Sequence, residues 1–258
     1  MRLLFIRHGD PDYELDSLTE KGCEEAEALA AVIKYMNPGT IFVSPLGRAQ
    51  KTASYSLDTL SVQAQTRSWL QEFPTRILVG DDPELQEAFP HARKEDGTYG
   101  ETYTWDIMPS YSAAHPELFN PEKWRTSKIA VESNVLPVYD NIKKEFNSLL
   151  SSYGYVNQGH GLFRVEHETQ ETLTFFCHFG ITTVLLSILW DCSPFQFLQQ
   201  FCMLPSTVTE LVTEERVPGE ANFRALRIGD QSHLHIAGQQ PSFQARFREV
   251  YSDTAHRC

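Results

Sequence analysis

The feature that most constrains this chain is its opening, Arg2 to Asp10. Leu3, Leu4, Phe5 and Ile6 form an unbroken apolar run that stops abruptly at Arg7, His8 and Gly9. Such a run suits a strand covered on both faces of a parallel sheet. Two ionisable side chains at its carboxyl end are costly unless they are used, and that end of a strand is where open α/β sheets bind ligands. Arg offers a planar, permanently charged fork for phosphate oxygens, and His a nitrogen nucleophile or base near neutral pH. Gly9 lets the backbone turn away at once.

The rest of the chain repeats this design. Thr19 is placed to cap a helix whose buried face is Ala26, Leu29, Ala30 and Ile33, and Asn37-Pro38-Gly39 ends it. Thr40 to Val43 reads as a second buried strand. Ser44 follows as an expected N-cap with Pro45 at the first helical position, which puts Arg48 in the first turn of a helix, where an anion is already favoured. A third strand is expected over Ala64 to Leu70, with Glu72 just past its end. From about residue 73 to 170 the strand–helix rhythm breaks. Tyr99, Tyr103, Trp105, Tyr111, Phe119 and Trp124 crowd a loop-like stretch, and a helix follows on Val135, Tyr139, Ile142, Phe146 and Leu149, with Pro137 in its first turn. The whole section reads as a lid inserted into a single domain spanning 1–258. Leu162 to Glu168 and Thr172 to His178 are expected to pair across a Thr169–Glu171 turn. The second of these runs ends like the first strand, on His178 and Gly180. Val208 to Thr213 and Phe223 to Ile228 read as the last two strands, and 242–251 reads as a last helix through Phe243, Phe247 and Val250.

Charge and composition narrow the function. A net charge of -12 argues against a general nucleic-acid surface but leaves room for a local basic pocket holding a small anion. No apolar run approaches the roughly 18 residues of a membrane span. A strand beginning at residue 2 leaves no room for a signal peptide. The five cysteines are scattered and form no CxxC, which points to reduced thiols and a cytoplasmic setting. His233 and His235 lack matching Cys or carboxylate spacing, so no metal site is expected there.

Four strand ends thus deliver Arg7, His8, Arg48, Glu72 and His178. This set and its order resemble the histidine phosphatase superfamily, the phosphoglycerate mutase-like group. The resemblance rests on FIRHG, DSLTEKG, SPLGRAQKTA, WLQEF, FFCHFG and GDQSHL, taken together and in order; none of these lies between 73 and 170. It implies an α/β fold, a three-layer α/β/α sandwich with a mostly parallel central sheet and an inserted lid. It implies that His8 attacks phosphorus to form a phosphohistidine, and that Arg7, Arg48 and His178, with the backbone at Gly9, hold the phosphoryl group. Glu72 would protonate the leaving oxygen and then activate water. No cofactor and no metal are implied. The chemistry agrees: phosphoryl transfer is mostly positioning and electrostatic stabilisation, for which a ring of fixed cations is the expected machinery.

One position departs from the pattern. Many members carry Asn five residues after the RHG glycine, touching the phosphate; here it is Glu14. A carboxylate would repel a phosphate, so Glu14 either points elsewhere or meets a hydroxyl or amine of the substrate. The leading reading is a phosphatase acting on a small phosphorylated metabolite. Its alternatives are a mutase using the same five residues and a catalytically silent binding protein on the same fold. A cysteine-phosphatase centred on Cys177 fails, because Thr183 stands where its Arg would be. Arg76, Arg93, Arg125 and His160 are candidates for a second anionic group of the substrate. The oligomeric state is not legible.

Overall fold

The computed structural model describes residues 1–242 and 250–252. The expected chain rhythm appears as β1 (Arg2–Arg7), α1 (Glu20–Ile33), β2 (Thr40–Val43), α2 (Gly47–Leu60) and β3 (Gln65–Thr66). There follow α3 (Val135–Ser152), β4 (Tyr155–Gly159), β5 (Leu162–Val165), β6 (Thr172–Cys177), α4 (Phe179–Trp190), β7 (Val208–Val217) and β8 (Glu220–Asp230). The eight strands form one sheet in the order β3-β2-β6-β1-β7-β8-β5-β4.

Each central strand alternates between two cores. Leu3, Phe5, Phe42, Leu173 and Phe175 face one cluster, which α3 and α4 cover with residues such as Phe146, Ile181 and Leu185. Leu4, Ile6, Ile41, Val43 and Phe176 face the other, covered by Leu29 and Ile33 of α1 and Ala53 of α2. This is the three-layer α/β/α arrangement. The sheet is more mixed than the mostly parallel one expected. β3, β2, β6 and β1 run parallel, while β1–β7, β7–β8, β8–β5 and β5–β4 are antiparallel. The cause is connectivity: the antiparallel half is built largely from two hairpins, β4–β5 and β7–β8, whose tight turns cannot join parallel strands.

Three local expectations need correction. Residues 162–168 and 172–178 do not pair with each other. All six residues of β6 are buried, so it needs a partner on each side and finds β1 and β2. β5 is half exposed and lies one strand from the sheet edge, against β4 and the start of β8. The third strand is also only two residues long. A 3₁₀ turn at Ser68–Leu70 follows it and sends the neighbouring Trp69 and Leu70 both into the core, which strand alternation would not allow. Finally, α2 starts at Gly47 rather than at Pro45: the Ser44 hydroxyl accepts the Leu46 N–H ahead of the helix, and Leu46 holds the extended N-cap position.

Within 73–170, the later part is frame rather than cover: Phe146 of α3 packs edge-on against Phe5 and Phe175, and β4 and β5 belong to the sheet. The earlier part folds into a two-stranded ribbon (Arg76–Leu78 with Glu101–Tyr103) and short helices, and its Val79, Leu85, Phe89 and Trp124 are continuous with the main core. Residues 243–249 of the expected last helix lie outside the described residues.

Candidate active site

β1 and β6 run parallel in a register that sets Arg7 opposite Cys177, so the residues that follow, His8 and His178, emerge side by side at the carboxyl edge. Their rings lie 5.1 Å apart, and both are buried. The His8 Nδ1 is 2.7 Å from the Gly9 carbonyl oxygen, which can only accept, so Nδ1 carries the proton. The Arg48 Nε–H donates to His8 Nε2 at 3.3 Å, which independently assigns the lone pair to Nε2. Burial, reinforced by the charge of Arg7, holds the His8 pKa well below its ordinary value, so the ring is neutral at pH 7.

The loop bearing His8 is tied from several sides. The Cys177 carbonyl accepts the His8 N–H and the Ser206 N–H donates to the His8 carbonyl. Thr52 Oγ1 accepts the Gly9 N–H, and the buried Glu25 carboxylate accepts the Asp10 N–H. A side chain at Gly9 would sit 2.6 Å from the Gly22 carbonyl, and one at Gly22 would collide with the Asp10 backbone. The glycine of DSLTEKG therefore serves close approach of α1 to the nucleophile loop.

Ser44 Oγ lies 2.7 Å from His178 Nε2 and accepts the Leu46 N–H. With that N–H accepted, the hydroxyl proton is free to be given to His178 Nε2, which leaves the imidazole proton on Nδ1, a buried atom without a partner. Burial, with the charges of neighbouring groups, also lowers the His178 pKa well below normal. Arg7 is buried, donates through Nη1 to the Met203 carbonyl, and lies 5.9 Å over the Phe179 ring. Glu72 stands at the start of α4, where its Oε1 accepts the N–H groups of Phe73 and Ile181 at 3.0 and 3.2 Å, leaving Oε2 free.

The structure thus gathers His8, Arg48 and His178 around one point, with Arg7 and Glu72 on its flanks. Glu14 is different. It is exposed, its backbone N–H bonds Asp12, and its side chain makes no hydrogen bond or ion pair among the described residues. The loop instead turns Asp16, which sequence reasoning passed over, onto Arg48 and the Gly47 N–H at 2.6 Å each. Of the other candidate cations, Arg125 is committed to Asp140 and His160 lies in the β4–β5 turn, beside Asp191. Arg93 is exposed. Arg76 lies 3.6 Å over Tyr103, whose other face stacks on Trp105 at 4.8 Å, and Phe73 covers Trp105 from the far side. Tyr103 and Trp105 thus belong to one stack with Arg76 and Phe73. Cys177 is buried and its thiol is pushed up to about 12, far from a thiolate nucleophile. Among the described residues, no group of three or more His, Cys, Asp or Glu side chains is placed to hold a metal ion. No helix there is long and apolar enough to cross a membrane.

His233, in the GDQSHL segment, is buried and bonds Ser206 Oγ through Nε2 at 2.9 Å, one residue-length behind the His8 carbonyl. Its pKa is lowered to about 4 by burial. His8, His178 and His233 are thus all held neutral in the folded protein. The unfolded chain takes up protons at these sites below about pH 6.5, so their contribution to stability is present above that pH and is lost as pH falls. Glu25 and Asp106, raised by burial, act with the opposite sign. His233→Asn is expected to reduce the loss of unfolding free energy between pH 7 and 4.5 by about 2–2.5 kcal/mol. Urea unfolding at the two pH values checks this, and an unchanged difference would refute it.

The sheet order, the helix layers and two histidines at adjacent strand ends define a histidine phosphatase fold. Residues 3–115 match the family model described as the histidine phosphatase superfamily (branch 1). The stretch so matched carries Arg7, His8, Arg48 and Glu72. Solved structures agree on the fold. A mycobacterial hydrolase superposes with TM-score 0.54 at 18% identity, over 89% of this chain and 98% of that one. A phosphoserine phosphatase mutant from Entamoeba histolytica, in complex with phosphoserine, gives 0.53 at 16%, over 90% and 98%. A mycobacterial glucosyl-3-phosphoglycerate phosphatase with inorganic phosphate gives 0.54 at 18%, again over 90% and 98%. No curated protein sequence matches the chain.

Proposed function

We propose that the protein is a metal-independent phosphatase that hydrolyses a small phosphorylated metabolite through a phosphohistidine on His8. The observation that carries this is the doubly assigned tautomer of His8: Gly9 takes the proton on Nδ1, and Arg48 faces the lone pair on Nε2. In this reading Nε2 attacks phosphorus as the ester P–O bond breaks. The leaving oxygen takes a proton from Glu72 Oε2. Water then attacks the phosphohistidine and gives its proton back to Glu72, the N–P bond breaks, and Nε2 recovers its electron pair. Arg7, Arg48 and the buried Nδ1–H of His178 stabilise the charge on the three equatorial oxygens. Residues 73–134 supply the cover. Trp105 lies where a side chain at Gly180 would sit 3.4 Å from it and 2.7 Å from Glu72 Oε1, so the cover reaches the acid itself. That the three neighbours above include two named phosphatases of small phosphorylated metabolites supports hydrolysis over mutase chemistry.

The test is release of inorganic phosphate from p-nitrophenyl phosphate and from alkyl phosphates in the presence of EDTA. Release that resists EDTA is expected; its absence, with 3-phosphoglycerate isomerised instead, would replace the phosphatase by a mutase. Glu72→Gln should lower kcat on an alkyl phosphate by roughly 10²–10⁴-fold. Its effect on p-nitrophenyl phosphate should be much smaller, because nitrophenolate departs without a proton. Equal losses on both esters would remove Glu72 from the role of acid.

A further inference from the structure

We propose that Asp16 is a positioning residue for Arg48, holding its guanidinium in the orientation that sets Nε–H on the attacking nitrogen of His8. The proposal rests on the phosphoryl-transfer reading of the site. An Arg side chain has many rotamers to choose from, so a free Arg48 would be poorly placed at the moment of reaction. Here its charge is gripped from two sides by one short loop. Asp16 Oδ1 takes Nη1 at 2.6 Å, and the Tyr13 ring lies 5.5 Å from Cζ. Those contacts leave Nε to face His8, while Nη2 carries no hydrogen bond among the described residues.

The loop is built for this grip. A short antiparallel ribbon, Pro11–Asp12 with Ser17–Leu18, closes its base, and Asp12 Oδ1 accepts the N–H groups of Glu14 and Leu15. Asp16 itself adopts a left-handed backbone, φ 45°, which Asp tolerates better than most residues. Its second carboxylate oxygen accepts the Gly47 N–H, replacing the capping that Ser44 does not give to α2. A side chain at Gly47 would collide with the Asp16 carbonyl, so a glycine next to Arg48 is what admits the loop. Arg48 is therefore clamped between the helix that carries it and the loop that follows the nucleophile.

Two readings compete with this one. Asp16 could act only as a cap for α2, or as an anion that competes with the phosphoryl group for Arg48. Two measurements separate them. In the free protein, the ¹⁵N–¹H signal of Arg48 Nε, identified by its loss in Arg48→Ala, should be protected from exchange and should vanish in Asp16→Asn; its persistence would overturn the proposal. This arm needs no turnover, so it decides the matter even where phosphate release fails and takes the phosphatase reading with it. In kinetics, Asp16→Asn should lower kcat on p-nitrophenyl phosphate by about 10–100-fold, as expected for a hydrogen bond between charged groups. KM should move less than threefold, and the same change in an Arg48→Ala background should cost less than about twofold, since both act through one interaction. An equal loss in both backgrounds would make Asp16 a helix cap, and a gain in activity would make it a competing anion; either overturns the proposal. Melting temperatures of all variants exclude unfolding as the cause.

Discussion

His8→Ala is expected to lower kcat for phosphate release by roughly 10⁴-fold or more, the scale on which removal of a covalent nucleophile acts when catalytic residues work as a unit. That is about 5.5 kcal/mol of transition-state stabilisation, at 1.36 kcal/mol per factor of ten. The size follows from the geometry. His8 Nε2 is the nitrogen whose lone pair is assigned by two separate contacts, and burial beside Arg7 keeps it unprotonated. His178 sits differently, because its Nε2 is held by Ser44. The loop should survive the change, since its backbone bonds to Cys177, Thr52, Glu25 and Ser206 do not involve the imidazole. Quenched-flow trapping with a ³²P-labelled ester should give an acid-labile, alkali-stable phosphoenzyme in the wild type and none in His8→Ala. Residual activity within tenfold of the wild type, or a label that persists, would place the nucleophile elsewhere.

The acidic side of the cycle shows how far the sequence could be read. Each of the five chemical residues is preceded by a local signal that survives without tertiary context. These are an apolar run that stops for Arg7–His8 and again for His178, a helix start before Arg48, and the end of a short strand and turn before Glu72. Their convergence follows from one rule, that parallel strands present their carboxyl ends together. What failed to show were the residues whose partners are distant. Asp16 reaches Arg48 across 32 positions, Glu25 of α1 serves Asp10 across 15, and Ser44 turns out to bond His178, 134 residues on. A hydroxyl before a proline is a good cap by every local criterion, and only the fold reveals that it also bonds an imidazole. Glu14 marks the same limit. A position counted from a motif carries over only while the loop has the family's length and path, and this loop spends its carboxylate two residues later, at Asp16.

Phe175→Ala is expected to cost about 3–5 kcal/mol in unfolding free energy, a large share of the roughly 5–15 kcal/mol that holds a domain together. Phe175 is fully buried at the centre of β6, stacked on Phe5 at 5.2 Å and on Phe42 at 5.3 Å, with Phe146 edge-on at 6.1 Å and Trp69 at 6.4 Å. Its removal opens a void that four aromatic rings, from two strands, a helix and a 3₁₀ turn, cannot all collapse to fill, and each lost aromatic pairing adds about 0.5–1.5 kcal/mol. The melting temperature should fall by roughly 10 °C, at 2–4 °C per kcal/mol for a chain near this size. Phe175→Leu, which keeps most of the volume, should recover more than half of the loss. Urea unfolding of the three proteins checks both, and a cost below about 1.5 kcal/mol for the alanine variant would mean that the stack is not the keystone of the larger core. The consequence reaches the chemistry, because β6 lies between the strands that end in His8 and Ser44 and itself ends in His178. A strand loosened at Phe175 loses the register that sets Arg7 opposite Cys177, so activity in Phe175→Ala should fall off with temperature ahead of global melting, as the two histidines lose their spacing before the sheet as a whole gives way.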